Sequence, residues 1–190
     1  MTWRKGALST GTSPVKARCE VGEMAGEFTV GEKVVHPWYG AGTVVQVRQG
    51  RKSEGHEKYY VIDIPGLDLT VHLPVEAAQE VGLRQPVSMS TMNRVLDILS
   101  SPPAELPKDY RERHSVIVAS MQNGEITSLA QVIRDLAALQ SKKPLSVLES
   151  NLFSKAKRQL ASELAMVTGE ALAEALQRVE KTLATRPDRP

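Results

Sequence analysis

Apolar positions along the chain change their period once, near residue 85. From Phe28 to about Arg84 they fall in short runs rich in β-branched and aromatic residues, at Thr29–His36, Gly42–Arg48, Lys58–Ile64 and Leu69–Leu73. Thr43 to Val47 and Leu69 to Leu73 alternate as half-buried antiparallel strands require. The runs are separated by turn chemistry at Pro37–Gly40, Gln49–Gly55 and Pro65-Gly66. Such short strands in so short a stretch predict a small, strongly bent sheet or partly open barrel. A core of that size is marginal alone, so packing against the rest of the chain is expected to support it.

From about Ser88 the spacing becomes helical. Met89, Met92, Leu96 and Leu99 share one face, and Pro102-Pro103 stops that helix. Tyr110, His114, Ile117 and Met121 predict a second helix, closed by Asn123-Gly124 as a left-handed cap. Leu129, Val132, Ile133, Leu136 and Leu139 predict a third, ending before Pro144. Ser146 with Glu149 three residues on is a capping box opening a fourth, with Leu152, Ala156, Leu160 and Leu164 on one side. Leu172, Leu176, Val179 and Leu183 make a fifth. Residues 1–27 follow neither period and predict a flexible tail, with Met24 as an alternative start. The expected fold class is therefore α+β: a tail over 1–27, a β domain over 28–85 and an all-α helical domain over 86–186, joined near 83–88.

Composition narrows the class. The chain has 190 residues, 24 Lys+Arg against 22 Asp+Glu, and a single cysteine, Cys19. A disulfide framework within the chain is excluded, and a reducing, cytoplasmic setting is expected. No uncharged apolar run is long enough for a membrane span, and residues 1–20 carry no apolar core of a secretory leader. With a net charge of +2, any nucleic-acid contact must come from a local basic patch.

Catalytic and metal chemistry find no frame. His36, His56, His72 and His114 lie in no metal-ligand spacing. Gly50-Arg51-Lys52-Ser53 lacks the upstream glycine of a phosphate loop, and Gly40-x-Gly42 has no dinucleotide fingerprint behind it. There is no nucleophile elbow, and Asp63 and Asp68 sit at strand edges as turn residues. No catalytic residue, metal ligand or cofactor is expected, and the chain reads as a non-enzyme. Two basic clusters remain. In one, Asp109 caps a helix that would put Tyr110 in its first turn, with Lys108, Arg111 and Arg113 around the ring. A planar ring beside cations suits a wedge against bases flanked by phosphate contacts; the plainer alternative is a tyrosine packed beneath its helix. The other cluster, Lys155, Lys157 and Arg158, is either a phosphate-binding edge or a solvated face.

Read in order, seven strings resemble the CarD/CdnL family of bacterial transcription regulators. They are Phe28-x-x-Gly31-Glu32-x-Val34-Val35-x-Pro37-x-x-Gly40-x-Gly42-x-Val44; Tyr59-Tyr60-Val61; Pro74-Val75; Val81-Gly82-Leu83-Arg84; Leu106-Pro107-x-x-Tyr110-x-x-Arg113; Val132-Ile133-Arg134-Asp135-Leu136; and Leu145-Ser146-x-x-Glu149 with Ala156-Lys157-x-x-Leu160-x-x-Glu163-Leu164. The first string also occurs in Tudor- and KOW-like barrels and in the polymerase-binding module of the transcription-repair coupling factor; the ordered set, over residues 28–168, is far more specific. The resemblance implies a Tudor-like β domain that docks on the β subunit of RNA polymerase. It also implies a helical domain that touches promoter DNA, with low sequence specificity, at the upstream edge of the melted bubble. There the family uses a tryptophan as a minor-groove wedge, and Tyr110 stands at the matching position. His72 stands where relatives often carry an arginine facing the polymerase, and Gly50 replaces another frequent arginine for which Arg48 and Arg51 are close enough to substitute, so Arg48, Arg51 and His72 are the expected polymerase contacts. Ser150 and Glu112 replace residues that are often basic. A divergent, monomeric member associated with the nucleoid through polymerase is expected, stabilising the open promoter complex. The competing expectation is a polymerase-bound adaptor whose helices recruit a protein and never touch DNA.

Overall fold

Strand β1 (Lys33–His36) opens an antiparallel meander with β2 (Gly40–Gln49), β3 (Lys58–Ile64) and β4 (Leu69–Pro74), in the sheet order β1-β2-β3-β4. The computed structural model describes residues 27–50 and 57–187. The expected first strand began at Thr29, but Gly31 takes φ +93° and the chain turns there, so β1 starts only at Lys33. A bulge between Val44 and Gln46 breaks the register of β2 against β3 and bends the sheet. Its concave face holds Val34, Val44, Tyr60, Ile62, Ile64 and Leu73, closed by Phe28 and Leu83. The Phe28 ring meets Tyr60 edge-on at 5.8 Å, and the Phe28 N–H donates to the Tyr60 hydroxyl at 2.9 Å. Gly42 has to be glycine: a Cβ there would lie 2.6 Å from the Asp63 carbonyl oxygen on the next strand.

A single turn, α1 (Ala78–Val81), follows the sheet and ends at Gly82 with φ +82°. Five helices then form a second core: α2 (Met89–Ser100), α3 (Tyr110–Gln122), α4 (Ile126–Lys142), α5 (Val147–Thr168) and α6 (Leu172–Ala184). Met92, Leu99, Ile117, Ile133, Leu136, Leu160 and Leu164 are fully or almost fully buried in it. Side chains close three N-termini: Ser88 on α2, Asp109 on α3, and Ser146 on α5 within a reciprocal capping box with Glu149. The chain is α+β, with one core in the sheet and one in the helices.

Helix α5 joins the two cores. Its residue Glu163, 2% exposed, accepts from both terminal nitrogens of Arg84 at 2.6 and 2.8 Å and from the Val87 N–H at 3.0 Å. Arg84 also donates to the Gly124 carbonyl at 2.8 Å and pairs through its backbone with Val35 of β1. Ser162 Oγ accepts from the Ala41 N–H, Gln159 donates to the Pro37 carbonyl at 2.7 Å, and Lys33 donates to the Met166 carbonyl. The Lys155 ammonium stands 4.0 Å from the centre of the Trp38 ring.

His36 lies buried at this joint, its Nδ1 accepting from the Trp38 N–H at 3.0 Å. Burial, and next the nearby Lys155, hold its pKa below the ordinary histidine value. A pKa depressed on folding gives stability that is complete above the unfolded value and is lost as pH falls through the folded one. The thermal midpoint should therefore fall as pH drops below the ordinary histidine value of about 6.5. His36→Asn, whose Oδ1 can take the same N–H without titrating, should flatten that decline. An equal decline in the variant would assign it elsewhere.

Candidate nucleic-acid interface

The exposed end of the helical unit is built on the first turn of α3. The Asp109 carboxylate accepts from the Glu112 N–H at 2.9 Å, which fixes Tyr110 as the first helical residue. Tyr110 is 37% exposed, with its ring tilted against His114 at 6.2 Å, so it is not the packed tyrosine of the plainer alternative. Lys108 and Arg111 are exposed on either side of it.

Arg113 requires a correction. Expected to face a phosphate beside Tyr110, it is 4% exposed and points inward. Its Nε donates to Glu149 of α5 at 2.6 Å, and one terminal nitrogen donates to the carbonyls of Pro107 and Lys108 at 2.7 and 3.0 Å. The guanidinium carbon lies 5.8 Å from the centre of the Tyr110 ring. Arg113 thus fastens the strap before α3 to the first turn of α5 and supports Tyr110 from beneath. The cause for Arg113 is helical phase, since the buried face of α3 runs through Arg113, Ile117 and Met121, at i, i+4 and i+8; Tyr110 is on the same side but stands at the very start of the helix, where its ring remains exposed. Burial alone would raise the Glu149 pKa, but hydrogen bonds from the Ser146 backbone and hydroxyl, then Arg113, outweigh it and hold the carboxyl below its ordinary value.

The cluster on α5 does not form one free basic face either. Lys155 is half-buried on Trp38, and that burial pulls its pKa below the ordinary lysine value. Lys157 packs against the Phe153 ring and pairs with Glu180 of α6 at 2.8 Å. Arg158 is exposed. Two of the three expected phosphate contacts are therefore occupied within the fold, one as part of the joint with the sheet.

On the convex face of the sheet, Arg48 and Tyr59 stand opposite each other, as do Val61 and His72 in the next rung. The Arg48 guanidinium carbon is 5.1 Å from the centre of the Tyr59 ring, and His72 is exposed. The register brings Arg48 and His72 to one surface. Arg51 lies outside the described residues. Among the described residues no group of three or more His, Cys, Asp or Glu could hold a metal ion, and no helix is long and apolar enough to cross a membrane.

Comparison with known families follows the same division. Residues 28–87 match the CarD-like/TRCF RID domain, and residues 94–180 match the CarD C-terminal domain. The chain belongs to the CarD-like family. Its sheet is thereby a Tudor-like RID module, and the family places this CarD-like chain among transcription regulators that interact with RNA polymerase. Over 142 residues it is 25% identical to YdeB of Bacillus subtilis (strain 168), a candidate transcription factor, covering 75% of this chain and 93% of that protein.

Sequence reasoning assigned no role to Arg84 or Glu163 and read Glu149 only as half of a capping box, not as the partner of Arg113, although all three fall in the strings that carry the CarD-like resemblance. Carboxylates at otherwise apolar helical positions were the available signal: Glu163 directly precedes buried Leu164, three residues after buried Leu160.

Proposed function

We propose that this CarD-like protein, acting as a monomer, docks on the β subunit of RNA polymerase through the convex sheet face carrying Arg48 and His72, with Arg51 as a further contact. The helical unit then contacts promoter DNA at the upstream edge of the bubble, with Tyr110 against the minor groove and Lys108, Arg111 and Arg158 on phosphates. The observation that carries this reading is the exposed Tyr110 ring on a capped helix start, framed by two exposed cations and backed by a buried arginine. So small a patch binds free DNA only at about 10⁻⁴–10⁻⁶ M at physiological salt. Tethering to polymerase raises the local DNA concentration to roughly millimolar, enough to occupy it. A ring meeting an already unstacked step avoids an unstacking cost of a few kcal/mol, so binding favours the open complex.

The test is the lifetime of a promoter open complex formed by the cognate polymerase. The full chain should lengthen it, and Tyr110→Ala should shorten it again by about tenfold, as expected for a stacking contact of about 1–3 kcal/mol. An unchanged lifetime with polymerase-bound protein would remove the wedge. One feature favours the adaptor reading instead: Val147 and Leu148, in the first turn of α5, are 77% and 54% exposed and could seat an apolar partner. Salt separates the two readings, since phosphate contacts weaken steeply with ionic strength and an apolar interface does not.

A further inference from the structure

The strap 103–108 and the last turns of α4 enclose an open groove lined by Pro103, Leu106, Lys108, Asp135, Leu139 and Lys142, among others. Lys108 and Lys142 come from opposite walls. The floor carboxylate, Asp135, is already engaged: its Oδ1 accepts from the Arg134 Nε at 2.8 Å and the Ala104 N–H at 2.9 Å. Glu105 is the other acid of the lining and is exposed at the rim. Lys143, the residue after α4, is exposed beside Lys142. The Lys108 backbone is held by Arg113, so this wall is fixed to the same support as Tyr110. A lysine at a helix C-terminus complements the helix dipole, which accounts for Lys142 in part. It does not account for Lys108 converging on the groove from the other side, or for the excess of positive charge there.

We propose that Lys142 and Lys143 bind the phosphate backbone of the same DNA that Tyr110 touches, with that backbone crossing the groove between Lys108 and Lys142. This rests on the DNA-contact reading above and redirects it. The path of the DNA runs over the strap and the end of α4, whereas Lys155 and Lys157 of α5 are committed to Trp38 and Glu180. Each phosphate contact steepens the dependence of log K on log salt by about 0.9, which makes about a 3.5-fold loss per contact between 50 and 200 mM salt.

The experiment measures polymerase-dependent promoter protection across that salt range. The proteins compared are the full wild-type chain, the double variant Lys142→Ala/Lys143→Ala, the arginine pair Lys142→Arg/Lys143→Arg, and Lys108→Ala. Thermal unfolding confirms that each variant is folded. The double variant should lower the slope by about 1.8 and the arginine pair should restore it, while Lys108→Ala lowers it by about 0.9. A wild-type slope in the double variant, with Lys108→Ala reduced, would overturn the groove and leave the Tyr110 reading standing. A wild-type protein whose protection is insensitive to salt would remove both.

Discussion

Glu163→Ala should lower stability by about 3–5 kcal/mol and loosen the two cores from each other, because it removes the buried acceptor of two charge-assisted bonds from the half-buried Arg84 and of a third from a backbone N–H. Glu163 accepts three hydrogen bonds at the crossing of β1, the connecting segment and α5. Without it, the Arg84 guanidinium keeps the Gly124 and Gln85 carbonyls but loses both charge-assisted bonds, and the Val87 N–H loses its acceptor. Urea unfolding should show the lower midpoint. It should also separate into two transitions, since each core then melts with less support from the other. Replacing both partners, as in Arg84→Met/Glu163→Met, should recover part of the loss, because no orphaned charge remains. A single transition at the wild-type midpoint in Glu163→Ala would show that the joint is held by the remaining contacts of α5.

Glu149→Ala is expected to cost about as much, about 3–5 kcal/mol, and to act on the DNA-facing end. Arg113 and Glu149 are both almost fully buried, at 4% and 3% exposure, and the same carboxylate closes the capping box of α5. Its loss leaves Arg113 charged and unpaired and frees the first turn of α5. The strap through Pro107 and Lys108 then has a less constrained anchor, and Tyr110 loses its fixed support. Arg113→Lys should not substitute, because one ammonium cannot reach Glu149 and two carbonyls in the fork that a guanidinium provides. The acid side provides a second readout. With the Glu149 pKa lowered on folding, its contribution is complete above the unfolded carboxylate value, about 4.3, and disappears as pH falls through the folded value. Glu149→Gln should lose that segment of the acid profile. An unchanged profile, or a stability within about 1 kcal/mol of wild type for Glu149→Ala, would contradict this account.

The elements of the fold were largely legible because their signals are local. Alternation located β2 and β4, a run of β-branched and aromatic residues located β3, and Asp109 and Ser146 announced the helix starts they cap. The bulge after Val44 was not legible, since a one-residue insertion leaves the composition of a strand unchanged. At the candidate interface, Tyr110 was left open between an exposed wedge and a packed ring, whereas Lys108, Arg111 and Arg158 read correctly as exposed groups because exposure is the default for charged residues. Arg113, Lys155 and Lys157 did not. Each is claimed by a partner distant in sequence: Glu149 from 36 residues away, Trp38 from another structural layer, and Glu180 from the next helix. Local pattern reading assigns a cation to solvent unless its partner lies within a turn or two.

The contact of Gly40 with Ser162 limits how this sequence can change. Gly40 takes φ +86°, and a Cβ there would lie 2.5 Å from the Ser162 hydroxyl oxygen, which itself accepts from the Ala41 N–H. A larger residue at either site drives α5 off β2, and a smaller one at 162 abandons an acceptor that the strand relies on. Neither position can drift alone; a lineage that altered one would have to pass through a poorly folded intermediate or change both together. Across descendants of this chain the two sites should be inherited as a unit, while Val147 and Leu148, which the interior does not constrain, are free to diverge.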